Sequence, residues 1–294
     1  MHSYDSQSTN WPSRFDHTTT RTMSAPHVLI LGGHGKVALR LTPLLLQKAW
    51  SVTSVIRNAA HEADITASAG SQYPGKLNVL VESLEDVKST ADASRVISTV
   101  KPDYVVWSAG AGGKGGPERT FAIDRDVCRY YIDAAAANPS VTKFLLVSYI
   151  ASRRSHPPWW NDEDKASADH VNTNVLADYY KAKVDADEYL LARARAARAA
   201  GRTFFDIDLR PGTLTDDEGG EGVLLGKTSS RGTVSRADVA RVTAELLDTE
   251  YRGWLDMLKG SDNVQEAVRR AVSERVDCVE GEDLERIYQT ELKL

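Results

Sequence analysis

Long apolar runs are missing from this chain. The longest, such as Leu44-Leu45-Leu46, fall far short of the roughly 20 residues that a membrane-spanning helix needs, so no membrane protein is expected. Cysteine is scarce: Cys128 and Cys278 are the only two in 294 residues. That is too few for a disulfide framework and fits a reducing compartment. A basic surplus is absent as well. With 36 Lys and Arg against 41 Asp and Glu the formal charge is −5, so a nucleic-acid partner is not expected. Residues 1–24 have no apolar centre and are not a secretory signal, and Asp5 and Asp16 speak against an Arg-rich presequence. They read as a disordered tail on a cytoplasmic protein. What is present is ordinary for a globular domain: 41% hydrophobic and 26% charged residues, too rich in aliphatics for a disordered chain.

From His27 onward two kinds of segment alternate. One is a short run, apolar at successive positions: Val28–Leu31, Val52–Ile56, Leu77–Val81, Tyr104–Trp107, Lys143–Val147 and Phe205–Leu209. Strands buried on both faces read this way. The other is longer, with helical spacing: Val37–Lys48, Val87–Val100, Glu118–Ala137, Val175–Ala200 and Arg236–Thr249. Such alternation predicts an α/β fold, a parallel sheet with helices on both faces. No composition break divides 25–260, so one domain is expected there. Residues 261–294 carry nine acidic and five basic side chains and an amphipathic stretch at Val264–Val276, which predicts a small C-terminal helical cap.

The sharpest local signal is Gly32-Gly33-His34-Gly35-Lys36-Val37-Ala38, between a strand and a helix. Glycines there allow a tight turn and close approach to a pyrophosphate, a small residue lets helix and strand pack, and the helix N-terminus attracts the phosphates. Residues 32–37 are therefore candidate contacts of a dinucleotide. NAD sites usually place an acid at the end of the second strand to hold the ribose hydroxyls. Here that strand ends Ile56-Arg57-Asn58, and no acid occurs before Glu62. Arg57 is placed to pair with a 2′-phosphate through its planar fork, which points to NADP(H). Lys36 either adds positive potential or is simply solvated. The fourth strand runs into Ser108-Ala109-Gly110, opening a loop with five glycines between 110 and 116, at the sheet edge where ligands bind.

Taken in order, Gly32-Gly33-x-Gly35-x-x-Ala38, Arg57, Ala109-Gly110-Ala111-Gly112, Val147-Ser148-Tyr149, Arg210-Pro211-Gly212 and Val234-Ser235-Arg236-Ala237-Asp238 resemble the atypical short-chain dehydrogenase/reductase superfamily, in its NAD(P)H-binding and NmrA-like branch. The resemblance covers about residues 26–260. It implies a Rossmann-type doubly wound sheet of about seven strands in the order 3-2-1-4-5-6-7, with NADP(H) across its C-terminal edge and a small pocket for an organic substrate. It also implies a catalytic Tyr-x-x-x-Lys pair, matched here by Tyr179 and Lys183 on one helix face. Lys183 would bring the phenol, which ordinarily titrates near 10, toward neutral pH and hold the nicotinamide ribose. Ser148 would hydrogen-bond the substrate carbonyl, although Tyr149 or Ser152 also stands near that position. The acid that many relatives place after the third strand for the adenine is displaced in Val81-Glu82-Ser83, leaving backbone groups or Ser83 for that work.

Tyr149 and the stiff Pro157-Pro158-Trp159-Trp160 segment are candidates for the substrate pocket, the tryptophans serving either as a wall or as packing for their own loop. Asp162, Glu163 and Asp164 look like a helix start; no His or Cys joins them at ligand spacing, so no metal is expected. Asp216-Asp217-Glu218 reads as solvated. The function expected is an NADP-dependent reductase of a carbonyl or conjugated double bond in a small organic molecule, secondary metabolites included. A redox-sensing regulator with a protein partner, and a non-redox isomerase or dehydratase, stay open as alternatives, as does a homodimer.

Overall fold

The computed structural model describes residues 25–111 and 115–289. The expected tail at 1–24 lies outside the described residues, as do Gly112, Gly113 and Lys114. In chain order the elements are β1 (His27–Leu31), α1 (Lys36–Gln47), β2 (Ser51–Ile56), α2 (Glu62–Ala69), β3 (Lys76–Val81), α3 (Thr90–Val100), β4 (Tyr104–Trp107), α4 (Gly116–Thr120), α5 (Cys128–Ala137), β5 (Lys143–Val147), α6 (Asp162–His170), α7 (Ala177–Ala199), β6 (Phe205–Pro211), β7 (Thr213–Thr215), β8 (Val223–Gly226), β9 (Thr233–Ser235), α8 (Arg236–Leu247), β10 (Gly253–Lys259), α9 (Val264–Ser273) and α10 (Leu284–Gln289). Two π-helical stretches matter for the site. Phe121–Val127 joins α4 to α5, and Val171–Val175 follows α6, with Leu176 (φ −127°) breaking the turn before α7.

The main sheet has eight strands in the order β3-β2-β1-β4-β5-β6-β10-β8. All neighbours run parallel except the edge strand β8, which is antiparallel to β10. A two-stranded parallel ribbon, β7-β9, stands apart. This is the Rossmann-type doubly wound sheet, with one strand more than expected. The strand missed by the sequence pattern is β10: Asp256 interrupts its apolar run, yet the residue is fully buried. The order reverses between β1 and β4, so a crevice opens beyond their C-terminal ends.

Each face of the sheet buries its own core. Val28, Ile30, Leu145 and Leu209 point toward α1, α8 and α9, where they meet Leu41, Leu45, Val239 and Val268. Leu29, Leu31, Val105 and Leu146 point the other way, onto Val96, Tyr131 and Leu190 of α3, α5 and α7. The C-terminal segment is more than a cap. Val264, Ala267 and Ala271 of α9 enter the first core, and the fully buried Ile287 of α10 packs on Leu191 and Ala192. No helix among the described residues is long and apolar enough to cross a membrane.

At the C-terminal ends of β5, β6 and β10 lies a cluster of buried charges. Arg210 is fully buried over the Trp254 ring at 4.2 Å. Its Nε donates to Asp256 Oδ1 at 3.0 Å, and its Nη1 reaches Asp208 Oδ2 at 3.3 Å and Asp187 Oδ2 at 3.5 Å. Its Nη2 donates to the carbonyls of Ser152 at 2.7 Å and Ile150 at 3.2 Å. Burial pushes the pKa values of all three carboxylates up, against the opposing pull of Arg210. Arg210→Ala leaves three carboxylates in the core without this cation, a loss of about 3–5 kcal/mol for a broken buried pair. Because these groups bind protons more tightly in the folded state, stability should fall as pH rises above about 4, the unfolded carboxylate range. Urea denaturation of Arg210→Ala should therefore show a larger deficit at pH 8 than at pH 5; a deficit under 1 kcal/mol at both would contradict this role.

Candidate functional site

The turn after β1 is shaped by what its glycines touch. Gly32 has φ +85°, and a Cβ there would stand 2.6 Å from the Ala109 Cα on the neighbouring strand's loop. A Cβ on Gly33 would fall 1.8 Å from Ser54 Oγ. Any larger residue would push the turn away from β2 and β4, so the backbone stays low over the switch in strand order. α1 starts directly behind, at Lys36, with no acid in its first turn and no side-chain cap on its amides. Its amide end is thus ready for an anion.

A groove of about 290 Å³ lies over this turn. Its walls include Gly32, His34, Gly35, Arg57, Ser108, Ala109 and Gly110, all expected from the sequence. Ser83 lies in the same groove beside Glu82 and Leu84, where the sequence left the adenine to backbone groups or a serine. Gly33, Lys36 and Val37, also expected, are not among its walls. The Gly33 amide is spent on the Val55 carbonyl at 2.8 Å, so Gly33 supports the turn from below. The Val37 side chain is 7% exposed and packs in the core, so only its backbone amide at the helix end is left for a contact. Lys36 pairs with Asp216 at 2.5 Å, both side chains being exposed, and Arg236 joins the same carboxylate at 2.9 Å. His34 lies flat on His61, with ring centroids 3.7 Å apart, and its Nε2 meets Asp64 at 2.9 Å. Arg57, expected to pair with a 2′-phosphate, is exposed and donates to Glu85 Oε1 at 3.0 Å.

The groove's floor continues into the second half of the site through Asp124. This residue sits in the first π stretch, 1% exposed, and accepts the Ala111 amide at 2.9 Å. Burial raises its pKa, while Lys183 pulls it down. Tyr179, Lys183 and Asp187 follow at four-residue steps on α7 and form one stripe. Lys183 is 1% exposed and donates to the Val147 carbonyl at 3.0 Å. Burial alone would lower its pKa; Tyr179, Asp187, Cys128 and Asp124 outweigh it, and the net shift is upward. Burial pushes the half-buried Tyr179 phenol up to about 12, against the field of Lys183. Lys183 acts on the phenol in the direction the sequence expects, but burial outweighs it and the net shift is upward.

Ser148 also differs from expectation. It is 4% exposed, and its hydroxyl donates to Asp187 Oδ2 at 2.6 Å, beside Ser152 on the same oxygen at 2.5 Å. A serine whose hydrogen is committed to a carboxylate cannot donate it to a substrate carbonyl at the same time. Tyr149 instead stands next to Tyr179, with ring centroids 5.2 Å apart. Its hydroxyl donates to Asn172 Oδ1 at 2.7 Å, and Asn172 Nδ2 donates to the Ala151 carbonyl at 2.8 Å. Asn172 lies in the second π stretch, so each π stretch supplies one polar residue to the site, as such irregular turns often do.

A family model described as NAD(P)H-binding matches residues 32–250. The chain belongs to this family. A UPF0659 protein of Schizosaccharomyces pombe is 32% identical over 219 residues, covering 72% of this chain and 81% of that one. YhfK of Bacillus subtilis, named an uncharacterized sugar epimerase, is 28% identical over 247 residues, covering 83% and 99%. Among solved structures, the oxidoreductase ylbE from Lactococcus lactis superposes with a TM-score of 0.62 at 22% identity, covering 84% of this chain and 97% of that one.

The two tryptophans tie their loop to the segment after β8. Both indole N–H groups donate to the Thr228 carbonyl, at 2.9 Å from Trp159 and 3.0 Å from Trp160. Both rings stack over the buried Arg153 guanidinium, at 5.4 and 5.1 Å. Trp160 is 3% exposed and packs with Ile150 behind Tyr149. The packing reading fits Trp160, and Trp159 retains only partial exposure. The phenol's upward shift has a direct test. The ultraviolet titration difference between wild type and Tyr179→Phe should show one tyrosine ionising near pH 12, and higher still in Lys183→Met. A midpoint below pH 9 would show that Lys183 governs the phenol after all.

Proposed function

We propose that this protein is an NADP(H)-dependent reductase of a carbonyl or conjugated double bond in a small organic molecule. The observation that carries the reading is the Tyr179–Lys183 stripe of α7, with Lys183 buried on the Val147 carbonyl and Tyr179 beside Tyr149. When bound, the dinucleotide supplies the hydride chemistry. Gly32, His34, Gly35 and Ser108–Gly110 would hold it, and Arg57 would meet a 2′-phosphate. The chain's own task is to hold a proton beside the oxygen that gains negative charge. The Tyr179 phenol can donate as the alkoxide forms, and the field of Lys183 works against the burial that weakens it as an acid. Lys183 then stabilises the phenolate left behind. Tyr149, fixed by Asn172, supplies a second hydroxyl next to Tyr179. Ser148 works through Asp187 by anchoring the strand end that Lys183 also grips.

The name of the Bacillus subtilis relative favours a second reading, epimerisation of a sugar with no net oxidation, which would need the Tyr179 oxygen as phenolate, held by Lys183, to take the sugar's proton before returning it. The two are separable in one assay, since only the reductase consumes NADPH in step with product. For the reductase, Tyr179→Phe should lower kcat by about 10²–10⁴-fold, the usual weight of a general acid, with NADPH affinity within twofold of wild type. Arg57→Ala should weaken NADPH by about 10-fold, as loss of a charge-assisted pair, while sparing NADH. Near-normal turnover in Tyr179→Phe on an accepted substrate, or equal loss of both nucleotides in Arg57→Ala, would overturn the respective assignment.

A further inference from the structure

The groove holds a charge that the motif does not explain. Glu85 lies in the turn after β3, and a single oxygen, Oε1, accepts from guanidinium groups on two walls of the groove. Arg57 Nη1, from the end of β2, donates at 3.0 Å. Arg119, from α4 beyond the glycine-rich loop, donates through Nε at 3.0 Å and Nη2 at 2.9 Å. Arg119 also donates to the Ala111 carbonyl at 2.8 Å, which fixes it to the groove's floor. All three charged residues line the groove beside the stacked His34 and His61. The two arginines pull the Glu85 carboxyl below its ordinary range, Arg119 more than Arg57.

We propose that Glu85 is a built-in counter-ion that occupies the place of a ribose phosphate monoester and so sets the preference between NADPH and NADH. This rests on the reading of Arg57 as the 2′-phosphate partner and adds Arg119 as its second arm. A carboxylate bridging two guanidinium groups makes the contacts that a phosphate would make, with less charge. A phosphate monoester carries about −1.5 to −2 at neutral pH and three acceptor oxygens, so it can displace Glu85 and engage both arginines. A nucleotide with only hydroxyls at that ribose cannot, and the bridge stays closed. The ion pairs are exposed, with Glu85 at 44%, so the balance is small enough for a ligand to tip.

Calorimetry on the full chain distinguishes the outcomes, using NADPH, NADH, 2′-AMP and 5′-AMP as probes against wild type and Glu85→Gln. Removing the competitor should tighten NADPH and 2′-AMP by about three- to tenfold, the scale of one or two exposed ion pairs, with NADH and 5′-AMP within twofold. Adding Arg57→Ala to Glu85→Gln should erase most of that gain, since the two residues act on one group. Weaker 2′-AMP binding in Glu85→Gln would mean that Glu85 organises the arginines and does not compete, and no change would mean that it plays no part; either overturns the proposal. The cofactor reading fails on a different result, a wild type that prefers NADH. A gain for 2′-AMP in Glu85→Gln would then still identify Glu85 as the residue that excludes the phosphate.

Discussion

Arg210 is the point on which the site's geometry depends. Its guanidinium is fully buried, and its donors are shared among three carboxylates and two backbone carbonyls from four segments: α7, β6, β10 and the turn after β5. A charge without water is tolerable only when its partners are in place, so a small shift of any of these segments is costly. That constraint reaches the chemistry directly. Asp187 holds Ser148 and Ser152, and one turn earlier on α7 Lys183 holds the Val147 carbonyl. The helix carrying Tyr179 is therefore pinned to the end of β5 at both levels.

The two π stretches complete the arrangement from the other side. A regular α-helix through 121–127 would rotate Asp124 relative to the Ala111 amide, and one through 171–175 would rotate Asn172 relative to Tyr149. The extra residue per turn aims each side chain inward, at the cost of less regular backbone bonding. Asp124 holds the Ala111 amide at the groove's edge and feels the charge of Lys183, and Asn172 ties Tyr149 to the backbone of the turn after β5.

Much of this was legible in the chain. Runs apolar on successive positions marked the first six parallel strands, and the glycines from 32 to 35 marked the tight turn under the groove, because both signals are local. Four-residue spacing placed Tyr179 and Lys183 on one face. The rest depended on contacts between distant residues. Asp206 and Asp208 in β6 and Asp256 in β10 look like faults in apolar strands until Arg198, Arg153 and Arg210 are seen beside them. A charged residue within a strand otherwise buried on both faces was the available signal for the ion cluster. Nothing near Arg57 in the sequence announces Glu85, 28 residues away, or Arg119 on a third element. Ser148 was read as a free donor because its motif is local, while Asp187, which takes its hydrogen, lies 39 residues on.

The account's central claim is that Tyr179 is the proton donor of a site assembled at the end of the groove. A crystal structure of the protein with NADPH and a non-reacting carbonyl analogue tests it most directly. The claim requires the nicotinamide to lie on the Tyr179 side of the Ser108–Ala111 turn, with the phenol oxygen about 3 Å from the analogue's oxygen, within hydrogen-bond reach. A nicotinamide directed away from α7, or an analogue oxygen bound by another donor with Tyr179 out of reach, would contradict it.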